Sequence, residues 1–418
     1  MAASSQSTPS PSPLAFKAIL VLALLSAVAP LATDMYLPGF PAMAADLGSG
    51  AAGIQMTLTS FLLGLAAGQL LIGPISDRFG RRGPLLIGTG VAVLSGILCA
   101  MAPNVESLIL LRLLQGLGGA AGVVLARAVI ADRAPDAVAA ARLFQLMMMI
   151  TGVAPILAPI AGAGIVSAGG WRAVLAVIAL LSIISYLGVA RFIDETLEPE
   201  RRTPAGFGAQ FAAMRSVVGN RVYLGYTLTM AFAFMVMFAY ISASPFVFQT
   251  VLGLSSTAYS VAFGVNAVGV LVFGAVSAKL VGRVSPRRLS AIGLGIAAVA
   301  SLALCCVILA GGGAMLMMPL IFLAVAANGL VFGNASALAI SRVPKNAGTA
   351  SAVLGALQFC LGAVASPLVG LGGEDAALPM AVTMLVACGL AIASFLLLAR
   401  RDRGAPGEAI TSTFGSPH

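Results

Sequence analysis

The sequence predicts an all-α membrane protein: twelve transmembrane helices in two six-helix halves, with N- and C-termini cytoplasmic. Three observations carry that prediction. First, the 418 residues are 60% hydrophobic and 9% charged, against roughly 45–50% and about 25% in soluble domains, and mean hydropathy is +1.04. Second, apolar runs of about 20 residues, enough to cross a ~30 Å hydrocarbon core, recur along the whole chain. Third, Lys and Arg gather in alternate connections, which is how a bundle is oriented in a bilayer.

The elements follow in order. Residues 1–14, beginning "MAASSQSTPSPSP", contain no basic residue, so they lack the charged start of a secretory signal and read as a disordered cytoplasmic tail. Apolar runs then fall near 15–38, 53–75, 84–102, 107–131, 142–167 and 171–192, an N-terminal bundle over 15–192. The polar stretch 193–220 is a central cytoplasmic loop. Six further runs, near 221–245, 257–281, 288–310, 315–339, 349–371 and 379–399, make a C-terminal bundle over 221–399, with 400–418 a cytoplasmic tail. The ~10-residue alternation of barrel strands is missing.

Charge orients these spans. Basic residues follow the even-numbered ones: Arg78, Arg81 and Arg82; Arg133 and Arg142; Arg191, Arg201, Arg202, Arg215 and Arg221. The second half repeats this with Lys279, Arg283, Arg287 and Arg288, then Arg342 and Lys345, then Arg400, Arg401 and Arg403. The opposite connections carry Asp46, Glu106, Glu374 and Asp375, with Arg172 as the basic exception. The net charge of +9 is therefore topological, not a nucleic-acid footprint. An internal repeat supports the halves: "GPISDRFGRRGPLL" is echoed by "GAVSAKLVGRVSPRRL". Gly73, Ser76 and Arg78 align with Gly274, Ser277 and Lys279, while Asp77 becomes Ala278. Parallel halves with a site between them are a transporter architecture.

Composition also excludes chemistry. The only histidine is His418, and the five cysteines (Cys99, Cys305, Cys306, Cys360, Cys388) lie in apolar runs. Neither a Ser-His catalyst, a His-ligated metal nor a disulfide framework can be assembled from them. No G-x-x-x-x-G-K-[ST] loop is present, which removes an ATP-driven pump. The expectation is no enzyme, no metal and no cofactor.

Four stretches carry the candidate chemistry. In "GPISDRFGRRGP", Gly73 is expected to admit a neighbouring helix closely. Asp77 sits at a helix C-terminus, where a carboxylate is disfavoured unless Arg78, Arg81 and Arg82 answer it. In "LLRLLQGLGGAAGVVLARAVIAD", Arg112 lies about two turns inside the boundary, where a charge faces a bundle interior or snorkels some 9 Å towards Glu106. Gly116, Gly118, Gly119, Ala120 and Gly122 on the same span offer small surfaces for packing, while Arg127 and Asp132 near its cytoplasmic end read as snorkelling and capping. In "TGVAPILAPIAGAGI", Pro155 and Pro159 each delete a helical hydrogen bond, tolerated only where neighbours pack, and Gly152, Gly162 and Gly164 allow that.

The fourth is "SAVAPLATDMYLPGFP". From Lys17 to Asp34 is about 25 Å of helix, so Asp34 reaches the outer part of the core at a depth similar to Arg112. A low-dielectric cavity favours the neutral acid and a nearby Arg the carboxylate, so a group between them exchanges protons. The plainer reading makes Asp34 the end of the span, with Tyr36 in the aromatic belt and Pro38 stopping the helix. Span 7 gathers Phe232, Phe234, Met235, Met237, Phe238 and Tyr240, soft side chains that suit variable apolar ligands or face lipid. Asn266, Asn328, Asn334 and Gln358 are polar groups at lipid depth; they contact a ligand or bond neighbouring helices.

The loop with Gly73, Asp77, Arg78, Gly80, Arg81 and Arg82 resembles the inter-helix loop of the major facilitator superfamily, in which it forms a conformational charge lock. The second copy lacks the Asp. "TDMYLPGFP", "LQGLGGAAGVVLARAVIAD", "APILAPIAG", "GWRAVL", "DETL" and "AYISASPFVFQ" together resemble the Bcr/CflA group of drug:proton antiporters. The likeness covers the chain apart from its tails. It implies spans 1, 4, 7 and 10 around a central cavity and proton coupling by Asp34 and Arg112. The candidate ligand contacts are Asp34, Tyr36 and Arg112, with Tyr240 chosen for its hydroxyl and Asn328 and Asn334 for their place on a cavity-forming span. Gly152, Pro155, Pro159 and Gly162 match an antiporter helix, although Val153 and Ala154 separate a glycine and proline that are adjacent in the ideal motif. Where some members carry a second acid, this chain has Ser26 in "LLSAVAP", which argues against dicationic cargo. The expectation is a monomeric, proton-driven exporter of small amphipathic compounds in the cytoplasmic membrane, with a metabolite exporter or proton symporter as the alternative.

Overall fold

Where no water reaches the backbone, each N–H and C=O must be satisfied within its own segment, so the apolar runs become helices. A computed structural model describes residues 16–202, 207–373 and 377–399. The tails, Glu374, Asp375, Arg400, Arg401 and Arg403 lie outside them. In chain order the helices are α1 (Phe16–Asp34), α2 (Phe40–Leu47), α3 (Gly50–Phe79), α4 (Arg82–Ala100), α5 (Val105–Arg133), α6 (Ala137–Phe192) and α7 (Phe207–Gly219). They continue with α8 (Arg221–Phe246), α9 (Ser256–Leu280), α10 (Pro286–Leu309), α11 (Ala314–Ala326), α12 (Gly329–Ile340), α13 (Ala347–Gly370) and α14 (Ala377–Leu397).

Eleven helical segments of the described residues are long and apolar enough to cross a membrane. One of them makes two crossings. α6 has 56 residues, about 84 Å of helix, and reverses at Gly170, whose φ of 74° is open to glycine. Twelve spans result.

Three details differ from the apolar runs. α1 stops at Asp34, short of Pro38, which lies within a 3-10 turn (Leu37–Gly39) leading into α2. The tenth span is interrupted between α11 and α12. There the N–H groups of Leu330 and Val331 donate to the carbonyls of Ala327 and Asn328, three residues back, so one turn tightens. The central connection is not loop alone, because α7 occupies part of it.

Within the first half α3 packs along α5 and α1 along α6; in the second α8 packs on α13 and α14. The halves meet along α3/α13 and α6/α9. Small residues set the closest approach: a Cβ on Gly116 would lie 2.1 Å from the Phe61 carbonyl oxygen, and one on Gly162 would overlap that of Met35. Gly73, Gly119 and Gly164 are corrections. A Cβ on any of the three would meet nothing within 4 Å, so the close contact expected at Gly73 belongs instead to Gly64 and Gly68 on the same helix.

Candidate functional site

α5 carries Arg112 to the interior, where it is fully buried. Its Nη1 donates to Gln115 Oε1 (2.7 Å) and its Nη2 to the Ala32 carbonyl (2.7 Å). The guanidinium lies between two rings, 4.5 Å from the centre of Tyr36 and 4.2 Å from that of Phe61. Only Nε lacks a partner. Arg112 is thus clamped, not snorkelling towards Glu106. Tyr36 is equally enclosed, its hydroxyl 3.2 Å from Thr57 Oγ1, so it supports Arg112 rather than standing in an aromatic belt.

Asp34 and Arg112 do not pair. Asp34 is 4% exposed, is in no ion pair of the described residues, and its Oδ1 accepts no hydrogen bond from the protein. The physical reason is that α1 ends at Asp34. Arg112 reaches the helix carbonyl at Ala32 and leaves the Asp34 carboxyl without it. Tyr240, on α8, is 2% exposed. Its ring stacks on Phe263 (centroids 5.4 Å apart), and its hydroxyl accepts a 2.8 Å bond from Asn266 Nδ2. The Tyr259 hydroxyl is 3.3 Å from Ser244 Oγ.

Around this cluster the halves are joined by neutral hydrogen bonds. Gln55 Nε2 donates to the Ser242 carbonyl (3.2 Å) and Ser366 Oγ to that of Gln55 (2.9 Å). Thr59 Oγ1 donates to Ala363 (3.2 Å), Gln249 Nε2 to Pro38 (3.3 Å) and Ser260 Oγ to Pro159 (3.0 Å). This end of the bundle is closed. Pro159 and Gly152, which a Cβ would bring to 3.1 Å from Leu271, place the proline-rich part of α6 against α9 of the other half; Pro155 lies between them in the same helix.

Asn328 and Asn334 are corrections. Asn328 turns its amide onto the carbonyls of Ala324 and Val325 (3.1 and 3.0 Å), securing the tightened turn. Asn334 donates to Ser277 Oγ (2.7 Å) and the Leu330 carbonyl (2.8 Å). Both amides are spent on helices, and neither joins Asp34. Ser277 is the repeat partner of Ser76, so a neutral amide serves the second half where charge serves the first.

The opposite end holds the charged loop. Arg81 pairs with Asp77, donates from Nε to Asp132 (3.1 Å) and from Nη1 to Ser76 Oγ (2.7 Å). Glu195, in "DETL", accepts backbone N–H bonds from Arg81 (2.7 Å), Arg82 (3.3 Å), Thr196 (2.9 Å) and Leu197 (3.0 Å). Burial opposes the charge of Glu195, yet these donors hold its carboxyl below the usual range. Gly80, at φ 92°, lies directly over it. Arg82 Nη2 donates to the Ala190 carbonyl (3.0 Å), and Arg78 is exposed against Phe79. Asp132, read from sequence as a cap, is a full member of the cluster.

The sequence reading missed Gln115, Phe61, Tyr259 and Gln55. Gln115 had a usable signal, three residues after Arg112 and so on its face.

The model of the Major Facilitator Superfamily matches residues 22–367. The chain is 35% identical over 386 residues to the uncharacterized MFS-type transporter YdgK of Bacillus subtilis (strain 168), covering 92% of this chain and 96% of that one. It is 31% identical over 385 residues to the bicyclomycin resistance protein homolog of Haemophilus influenzae, with the same coverage of 92% and 96%. Its fold is similar, at TM-score 0.72 and 18% identity, to a bacterial homolog of the human lysosomal transporter Spinster, covering 93% of this chain and 98% of that chain.

Proposed function

Since the chain belongs to the Major Facilitator Superfamily and is a multi-pass membrane transporter, not an enzyme, we propose that it exports small amphipathic drugs or toxic compounds in exchange for protons. The observation that carries this reading is Asp34: a carboxylate at the junction of the halves, buried, with one oxygen that no protein group engages. A charge left unmatched in a dry site is costly unless the site exists to bind a proton or a ligand. Proton movement then supplies the energy and no cofactor takes part.

With both termini cytoplasmic, the closed Asp34 end faces outward. Proton loading of Asp34 belongs to the outward-open arrangement. Release belongs to the inward-open one, in which drug takes its place. Arg112, held by Gln115 and two rings, keeps a fixed positive potential near the end of α1 without neutralising Asp34. The Asp77–Arg81–Asp132 cluster ties α3 to α5, and Glu195 ties the α3–α4 turn to the end of α6, so the first half rocks as one body. The protein acts as a monomer.

The test is drug uptake into inside-out membrane vesicles with an imposed proton gradient. Uphill uptake should collapse with an uncoupler and in Asp34→Asn, which keeps shape and loses the charge. Uphill uptake by Asp34→Asn equal to wild type rules the proposal out.

A further inference from the structure

We infer that the cavity between α9 and α11 is a membrane-facing binding site for a small amphipathic molecule carrying a neutral O–H or N–H donor, with Asn266 Oδ1 as its acceptor. The site stands on this cavity alone and does not depend on Asp34 carrying the proton.

Its shape follows from the side chains that separate the two helices. At Gly269 they close, because a Cβ there would lie 2.6 Å from the Phe322 ring and 3.0 Å from Ala326 Cβ. Towards the start of α9 the lining residues are Ala258 and Ala262, too small to fill the gap. The result is a cavity of about 560 Å³, a size that holds a drug-sized molecule. Val261 and Val265 line it and are also 55% and 53% exposed on the outside of α9. The mouth therefore opens to the bilayer.

Asn266 is the one polar side chain in the lining, and it is 4% exposed. Its Nδ2 is spent on Tyr240 Oη, its single hydrogen bond to the described residues. Oδ1, a carbonyl oxygen with two lone pairs, is left without a protein donor. Asn266 is ten residues into α9, about 15 Å from the helix start and near the middle of a ~30 Å core.

That depth decides the occupant. A lipid chain fills the volume but brings no donor, and lipid headgroups stay at the membrane surface. A water molecule needs two or more polar partners, and the side chains of the lining supply one. A compact molecule with an apolar body and one hydroxyl or amide N–H fills the space and satisfies the oxygen. No charged residue lines the cavity, so the donor is neutral. The neighbouring cavity of about 430 Å³, between α9 and α6, has no polar side chain in its lining. Nothing there selects such a molecule over a lipid chain.

The experiment uses the full-length protein in lipid nanodiscs, with 4-hexylphenol bearing a diazirine in its alkyl chain as a photoreactive probe. Adducts, located by peptide mass spectrometry, should concentrate on residues 258–266 and 318–322. Unlabelled 4-hexylphenol should compete at about one tenth of the mole fraction in lipid that its methyl ether requires. The ether has the same body without the donor, and one hydrogen bond formed away from water is worth about that factor. In Asn266→Leu, which keeps the volume and loses the acceptor, the two competitors should become equal. Val265→Trp fills the mouth, leaves the amide in place and should remove the adducts from both segments. It carries the test with the wild-type competition should Asn266→Leu not fold. Asp34→Asn should label as the wild type does, so failure of the proton-carrier reading leaves this result standing. Equal competition by phenol and ether in the wild type, adducts that persist in Val265→Trp, or labelling spread over every lipid-facing helix overturns the inference.

Discussion

Gly80→Ala tests the inner cluster in two independent ways. Gly80 has φ 92° and ψ 169°, a region essentially restricted to glycine, and holding an alanine there costs about 1–3 kcal/mol. The added Cβ would also stand 2.3 Å from Glu195 Oε2 and 2.8 Å from its Cδ. The carboxylate has to retreat, stretching its bonds to the Arg81 and Arg82 N–H groups. Half-exposed as Glu195 is, water recovers part of that loss, and about 1–3 kcal/mol remains. The total is about 2–6 kcal/mol. Glu195→Ala removes the obstacle but not the backbone strain. The double variant should therefore lose about 1–3 kcal/mol less than the sum of the single ones. Unfolding free energies in mixed micelles, arranged as a double-mutant cycle, give this coupling directly. Strictly additive losses would mean that Gly80 and Glu195 do not touch, and the account of the loop would fall.

Asp34→Asn should abolish uphill export while leaving the thermal unfolding profile unchanged; a destabilised protein would mark Asp34 as structural. Arg112→Lys keeps the charge but loses the planar fork between Tyr36 and Phe61 and the paired bonds to Gln115 and Ala32, so it should retain a fraction of wild-type uptake. Full activity would show that the clamp is dispensable. Glu195 has a lowered folded-state pKa, so its stabilisation is complete above the ordinary glutamate range and is lost as pH falls through the lowered value. Stabilities of wild type and Glu195→Gln should accordingly differ at neutral pH and converge as pH falls below the lowered folded-state value. A gap that persists in acid would require a source other than the charge. Gly162→Val should prevent α1 and α6 from meeting at Met35, and expression with normal stability would contradict that packing.

What could be seen in the sequence was what hydropathy and charge encode. Twelve runs sufficed to find the spans because a bilayer leaves the backbone no alternative to helix. Asp34, Arg112 and the Asp77–Arg81 stretch stood out because charges are scarce in such a chain. The pairing of those charges was not legible. Whether Arg112 meets Asp34 depends on where α1 ends, and apolar residues on both sides of Asp34 conceal that point. Asn328 and Asn334 looked like ligand contacts because polarity at lipid depth is unusual, yet an amide is as easily used on a neighbouring turn or helix. Glu195 lay in a connection, where acidic residues are common, and four backbone donors converging on it came only with the fold.

The bonds that shut the Asp34 end have a thermodynamic consequence. They run from neutral side chains of Gln55, Thr59, Gln249, Ser260 and Ser366 to main-chain oxygens, with no charge pair among them. When the halves part, water takes the place of each donor, so each bond contributes a net of only about 1 kcal/mol. Over the five bonds this is about 5 kcal/mol, and on the proposed export cycle proton and drug have to supply it through their differential affinity for the two states, at about tenfold in the ratio per 1.4 kcal/mol. A seal of buried ion pairs would add the cost of separating charges to that sum; this one does not.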